Sequence, residues 1–146
     1  MATLHDTKYR QALERRIRML GADSRRKWGQ MSVEQMLWHL NAGLSTPVGT
    51  AKPLAGKPPL PRPLMKFLVL HLPWPKGAPT SPTFLATGQY DLETERARCL
   101  ELIDELARQS LDAPAVDHPA FGKMTGRDVS RLQAKHLDHH LKQFSA

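Results

Sequence analysis

Cysteine is almost missing from this sequence, since Cys99 is the only one in 146 residues. A lone cysteine cannot form an internal disulfide, so the sequence is not that of a disulfide-stapled secreted domain, and a reducing cytoplasm fits. Nothing close to Cys99 in the sequence would lower the pKa of its thiol. We therefore expect a small core residue rather than a reactive nucleophile.

Long apolar runs and the common nucleotide or nucleophile motifs are missing as well. The longest apolar stretch, around residues 64–72, contains Lys66 and falls well short of the roughly 20 residues that a membrane-spanning helix needs. No basic segment followed by an apolar one opens the sequence, so we expect no signal peptide. There is no glycine-rich phosphate loop, no Gly-x-Ser-x-Gly and no Cys-x-x-Cys.

Acidic residues are in the minority, with 14 against 21 basic residues and a net charge of +7. Such an excess can indicate a nucleic-acid or anionic partner. The basic residues are nevertheless scattered, apart from one local run between Arg15 and Lys27. Aromatic residues, only 6% of the chain, do not alternate with that run. The pattern favours a solvated face over a nucleic-acid interface.

The sequence shows helical periodicity over most of its length. Its 146 residues are the size of one domain, so we expect residues 1–146 to form a single domain. Four principal helices are predicted, together with a shorter helix over 63–71. Residues 111–123 are predicted to form a loop, and strand signals are almost absent. The principal helices are expected at about 6–20, 32–44, 91–109 and 125–144.

Helix starts and a proline-rich connection organise these elements. Ser32-Val-Glu-Gln35 is a capping box for the second helix, and Thr125 with Asp128 suits the start of the last. Most of the 12 prolines lie between Pro47 and Pro82, which predicts a long crossover that lets the second and third principal helices run parallel. The predicted fold is all-α, a four-helix bundle with this crossover between helices 2 and 3.

Two histidines lie within the apolar stripe of the last helix. Because residues four apart point the same way, His136 and His140 can reach one point. His139 lies about 80–100° around the helix from His140, toward the edge of the stripe, and is expected at the rim of the site or behind its ligands. The whole stripe is Val129, Leu132, His136, Leu137, His140, Leu141 and Phe144.

A third imidazole is available on the second helix. His39 flanks its apolar face, and taken alone it is most simply a half-buried, satisfied histidine. Gly43, one turn later, leaves room beside the ring, and Gln35, one turn earlier, could hydrogen-bond to it or to a bound water. If the second and last helices are neighbours, His39 completes a three-histidine set of the kind found in catalytic metal sites.

Metal binding would explain why imidazoles occupy an apolar stripe. Buried polar rings incur a desolvation cost unless they gain partners, and a metal ion is a partner that requires neutral imidazole. Imidazole ligands suit zinc, nickel, iron or copper, so the metal cannot be identified from these residues.

Four segments together match the pattern of a known family. They are Met31-Ser-Val-Glu-Gln-Met-Leu-Trp-His-Leu40, Pro75-Lys-Gly-Ala-Pro-Thr80, His118-Pro-Ala-Phe-Gly-Lys-Met-Thr125 and His136-Leu-Asp-His-His-Leu-Lys-Gln-Phe144. In these segments the chain resembles the DinB/YfiT-like superfamily of metal-dependent enzymes, and within it a branch of unknown function. The resemblance implies a four-helix bundle in which helix two supplies one ligand, here His39, and the last helix a pair, here His136 and His140.

The resemblance also implies a small-molecule substrate. Some relatives are S-transferases or isomerases that use low-molecular-weight thiols, so a thiol-dependent S-transferase is the first expectation. A metal-dependent hydrolase and a non-catalytic metal- or ligand-binding bundle are the alternatives. Hydrolysis usually requires a carboxylate as general base, but Glu34 is a weak candidate and Asp138 faces away from the histidine pair. No catalytic residue is assigned.

The resemblance leaves two further points open. Relatives of this type often pair through helix faces, which makes a homodimer an expectation without a predicted interface. His118, in the loop before the last helix, either lines the mouth of the site or is simply a turn residue before Pro119. A membrane partner is not expected.

Overall fold

A computed structural model describes residues 2–46, 59–76 and 84–146. Within them the chain is mostly helical, with five helices and one small two-stranded sheet. The element order is α1 (Thr7–Arg18), α2 (Val33–Ser45), α3 (Arg62–His71), α4 (Leu92–Ala107), β1 (Val116–His118), β2 (Gly122–Met124) and α5 (Gly126–Gln143). No helix of this described part is long and apolar enough to cross a bilayer.

The helix starts are where their capping residues place them. Ser32 and Gln35 form the predicted capping box of α2, and Thr125 with Asp128 forms the same reciprocal arrangement at the start of α5. Each box satisfies backbone N–H groups that have no partner inside the helix. The predicted short helix is also confirmed as α3, which carries Pro63 in its first turn.

The predicted loop over residues 111–123 was wrong in part, because it contains a β-hairpin. β1 and β2 pair antiparallel, with Val116 opposite Met124 and His118 opposite Gly122. Gly122 has a φ of 70°, the left-handed conformation that follows many three-residue hairpin loops and suits glycine. Strands of three residues are too short to show alternation in the sequence.

The predicted Pro-rich crossover, Pro47–Pro82, is described only around α3. Residues 47–58 and 77–83 lie outside the described part of the chain. Its course between the second and third principal helices therefore stays a prediction, as does their parallel orientation.

The core lies between α2 and α4, with α1 and α5 packed against it. On α2 the predicted apolar face is confirmed, since its members are at most 4% exposed. On α5 the burial differs from the prediction: Leu132 is half-buried, whereas Ser130, Gln133 and Ala134 are buried. The buried face of α5 is thus rotated relative to the predicted stripe, and three polar residues of this helix are buried: Ser130, Gln133 and Gln143.

Hydrogen bonds join the N-terminal segment to α5. The Leu4 amide donates to Ser130 Oγ at 2.8 Å, and His5 Nδ1 lies 2.8 Å from the same oxygen. His5 Nε2 lies 2.6 Å from the Gln109 carbonyl oxygen, just after α4. Because Ser130 is 0% exposed, this serine and histidine pair holds helices together and offers no nucleophile to a substrate.

Candidate metal centre

Three histidines from two helices meet on one side of the core. His39 comes from α2, and His136 and His140 come from successive turns of α5. One ring nitrogen of each lies within 4.8 Å of the others, close enough for the three to hold a metal ion. Nitrogens bound to one tetrahedral zinc are about 3.3 Å apart, so small side-chain movements would complete the convergence.

Hydrogen bonds fix the tautomers of two of the three rings. His39 Nδ1 lies 2.7 Å from the carbonyl oxygen of Phe84, so it must carry the proton and donate. His140 Nδ1 lies 2.8 Å from Gln143 Oε1, and the same amide donates from Nε2 to the Trp28 carbonyl at 2.8 Å. In both neutral rings the lone pair is therefore on Nε2, and in His39 this nitrogen lies 2.9 Å from Nε2 of His136.

Burial keeps these rings neutral. Desolvation lowers the pKa of His39, and it lowers the pKa of His136 well below the ordinary histidine value, with further lowering from the neighbouring histidines. For His140, burial is again the largest cause and brings the pKa to about 3. Neutral imidazole is the form that binds metal ions, so the protein holds the set ready for a cation at neutral pH.

Carboxylates take no direct part in this cluster of the described chain. Asp138 is turned toward Arg16, at 2.8 Å, and toward Lys142, at 2.7 Å. Those two cations lower the pKa of Asp138 against the effect of its burial. The arrangement is therefore a site of nitrogen donors, without a general base of the carboxylate type beside them.

Two indole rings and the third histidine of α5 border the cluster. The Trp74 ring centroid lies 5.7 Å from that of His136 and 5.5 Å from that of His139, and Trp28 lies 5.9 Å from His139. Lys76 lies over the Trp28 ring at 4.8 Å. His139 is thus placed beside the site, with its ring 5.1 Å from the His140 ring, and the border is aromatic and cationic.

The remaining sequence candidates are placed elsewhere. Gln35 uses its side-chain oxygen for the Ser32 amide and its nitrogen for the Gly88 carbonyl, at 3.0 and 3.1 Å, so it does not orient His39. His118 accepts from the Ala120 amide at 3.0 Å and stacks on Phe121 within the hairpin. Cys99 is fully buried, and burial raises the pKa of its thiol to about 12, which suits a core residue.

The comparison with protein families agrees with this geometry. The family model of the DinB superfamily matches residues 7–144, nearly the whole chain. The chain belongs to the DinB superfamily. Neither the curated proteins nor the solved structures gave a significant match. The sequence resemblance is therefore confirmed at the level of the superfamily, and the chemistry must be argued from the site itself.

Three supporting groups of this DinB-superfamily site were not predicted from sequence. Gln143 follows His140 by three residues, and this spacing would have predicted that the two side chains are neighbours on one face of the helix. The Phe84 carbonyl and the Trp74 ring carry no such signal, because they come from segments whose approach to α2 and α5 depends on the tertiary fold.

Gly43 controls the space beside His136. A Cβ atom built on Gly43 would lie 3.3 Å from His136 Nδ1 and 3.4 Å from its Cε1. We expect Gly43→Val to displace the His136 ring and to weaken zinc binding by at least about 10-fold, the loss typical of a disturbed ligand environment. Competition with a chromophoric chelator would measure this, with Ala42→Val as the control on the same helix. Equal affinity for zinc in the Gly43→Val protein would contradict the expectation.

Proposed function

We propose that this DinB-superfamily protein is a divalent-metal-dependent enzyme, with His39, His136 and His140 as the ligands, and that it is a thiol-dependent S-transferase. The thiolate of a low-molecular-weight thiol forms a carbon–sulfur bond with an electrophile, whose leaving group departs with the bonding electron pair. The three neutral imidazoles would hold a divalent ion, which would lower the pKa of the thiol so that thiolate is available near neutral pH. Zinc, nickel and iron all fit this donor set.

The observation that carries this proposal is the convergence of three neutral nitrogen donors, with no carboxylate beside them among the described residues. Hydrolysis by activated water usually uses such a carboxylate as general base, whereas a thiol needs only to lose its proton. The nearest acidic group of α5, Asp138, is occupied by Arg16 and Lys142. The donor set therefore supports thiol chemistry better than hydrolysis.

The residues around the ligands contribute binding and orientation. Trp74 and Trp28 offer flat apolar surfaces beside the site, and Lys76 and Lys135 lie over those two rings. Such a border excludes water from one side of the site and favours a substrate with an apolar part. The Phe84 carbonyl and Gln143 hold two of the imidazoles in the orientation that presents Nε2.

The superfamily's architecture supplies the frame for this site. We infer that α1, α2, α4 and α5 form its four-helix bundle and that the segment containing α3 is the long Pro-rich crossover. The close packing of α2 on α4 and the contacts of α5 with α1 and α2 support this inference.

The test begins with the metal content of the purified protein before and after incubation with zinc or nickel. The loaded protein is then incubated with an electrophile such as monochlorobimane and a panel of low-molecular-weight thiols. Thioether product that depends on both metal and one thiol is the expected result. Metal-dependent ester or amide cleavage without thiol dependence would instead support the hydrolase, and stoichiometric metal without turnover of either kind would support a binding bundle.

A further inference from the structure

The ring of His136 differs from its two partners in its surroundings. His39 and His140 each donate from Nδ1 to a protein oxygen. No such acceptor is in hydrogen-bond contact with His136 Nδ1 in the described part of the chain. One turn earlier on α5, however, the side-chain oxygen of Gln133 is buried and has no hydrogen-bond partner among the described residues.

The unpaired oxygen and the unpaired ring nitrogen border the same small space. The position that a Cβ of Gly43 would occupy is 3.3 Å from His136 Nδ1 and 3.8 Å from Gln133 Oε1. The other end of the Gln133 amide donates to the Gly43 carbonyl at 3.3 Å, which identifies the unpaired atom as the oxygen. A glycine at 43 thus leaves open the space through which these two atoms can meet.

The contact between His39 and His136 locates the proton of the metal-free site. Their Nε2 atoms lie 2.9 Å apart. His39 donates from Nδ1 to Phe84, so its neutral ring has only a lone pair on Nε2. The proton in this contact must then belong to Nε2 of His136. That same nitrogen is the one that faces the shared point, and it has to present a lone pair when it ligates an ion.

We propose that Gln133 is the positioning residue for His136: when a divalent ion binds, the His136 proton is transferred from Nε2 to Nδ1, and Gln133 Oε1 accepts the hydrogen bond from Nδ1–H. The ring stays neutral throughout, so the count of protons is unchanged. All three ligand rings then have an Nδ1 donor held by a protein oxygen, which orients each ring and raises its basicity. This inference rests on the proposed metal site.

The tautomer change can be observed in the unmodified protein. Two-bond ¹H–¹⁵N correlation spectra of the histidine rings report which nitrogen carries the proton. Without metal, His136 is expected as the Nε2–H tautomer. Addition of one equivalent of zinc is expected to convert it to the Nδ1–H tautomer, with that proton protected from exchange with water. A His136 ring with its proton on Nδ1 before zinc is added would overturn the proposal.

Substitutions then identify the acceptor. Gln133→Met keeps the length of the side chain but removes the oxygen, and is expected to weaken zinc binding by about 10–100-fold, the usual loss when a ligand's hydrogen-bond partner is removed. In zinc-loaded Gln133→Met protein the Nδ1–H of His136 is also expected to exchange with water faster than in the unmodified protein, a readout that a purely structural role of Gln133 would not change. The matched control is Gln11→Met, an exposed position on α1, which is expected to leave the affinity unchanged.

The outcomes separate this inference from the proposed function. If the unmodified protein binds no zinc, the metal site itself fails. If it binds zinc and Gln133→Met binds as tightly, or keeps the His136 Nδ1–H as well protected from exchange, only the role of Gln133 fails. Circular dichroism of the metal-free variants verifies that each affinity is measured on folded protein.

Discussion

Replacing His136 with alanine is expected to weaken zinc binding by a factor of about a hundred or more. Four-ligand structural zinc sites yield about 10–16 kcal/mol, or about 3 kcal/mol for each ligand, and a three-histidine site loses a full ligand with nothing to replace it. His136 is close to both other members of the set, since its Nε2 lies 2.9 Å from that of His39 and its ring centroid 4.8 Å from that of His140.

His139 provides the matched control for that experiment. It is also a histidine of α5, but it lies beside the cluster against Trp28 and Trp74. His139→Ala is expected to retain zinc binding, measured by chelator competition and by the rise in the unfolding temperature that zinc produces. If His139→Ala loses the zinc-dependent rise while His136→Ala keeps it, the assignment of the ligands is wrong.

The metal-free protein is expected to lose stability steeply below pH 6.5. Desolvation, with further lowering from the neighbouring histidines, brings the pKa of His136 well below the ordinary value and that of His140 to about 3, whereas in the unfolded chain both titrate near 6.5. As the pH falls below 6.5, the unfolded state binds protons that the folded state cannot. The free energy of unfolding therefore falls by up to about 1.4 kcal/mol per pH unit for each such histidine. For His140 the decrease continues until its folded pKa, about 3.

Urea unfolding in the presence of a chelator at pH 7, 6, 5 and 4.5 measures this slope. The His140→Gln protein, whose amide does not titrate, is expected to show a shallower slope by about one histidine's contribution. The control is Gln11→Asn, at an exposed position of α1 whose amide does not titrate, which should leave the slope unchanged. A metal-free protein with constant stability between pH 7 and 5 would contradict the burial argument.

The parts of this site that follow local rules were predictable from the sequence. A pair of histidines four residues apart on an amphipathic helix points to one side whatever the tertiary fold, which selects His136 and His140 over His139. His39 could be predicted because the capping box at Ser32 sets the phase of α2. The structure brings these three together, and their capacity to hold an ion follows from that geometry.

The parts that depend on tertiary approach were not predictable. The Phe84 carbonyl and Trp74 act on histidines far away in sequence, and neither composition nor periodicity encodes such distances. The room left by Gly43 was predicted beside His39 on its own helix, whereas the structure has it beside His136 of α5. The hairpin was not predicted because its strands have only three residues each, too few to show an alternating pattern. In the sequence Gln133 looks like any polar residue of a helix. It differs from the others only in the structure, where it is buried and its side-chain oxygen has no hydrogen-bond partner among the described residues.

The placement of two proposed ligands on α5, together with the glutamines proposed to orient them, leaves the site with few degrees of freedom. His136, His140, Gln133 and Gln143 belong to one helix, so the spacing of their backbone positions is that of the helix itself. Apart from small side-chain movements, the adjustable quantity is the position of His39, and thus the separation of α2 from α5. Ions of different radius would then be accommodated by a shift of one helix against the other, and the preference among metals would be set by how firmly α4 and the Phe84 segment hold α2 in place.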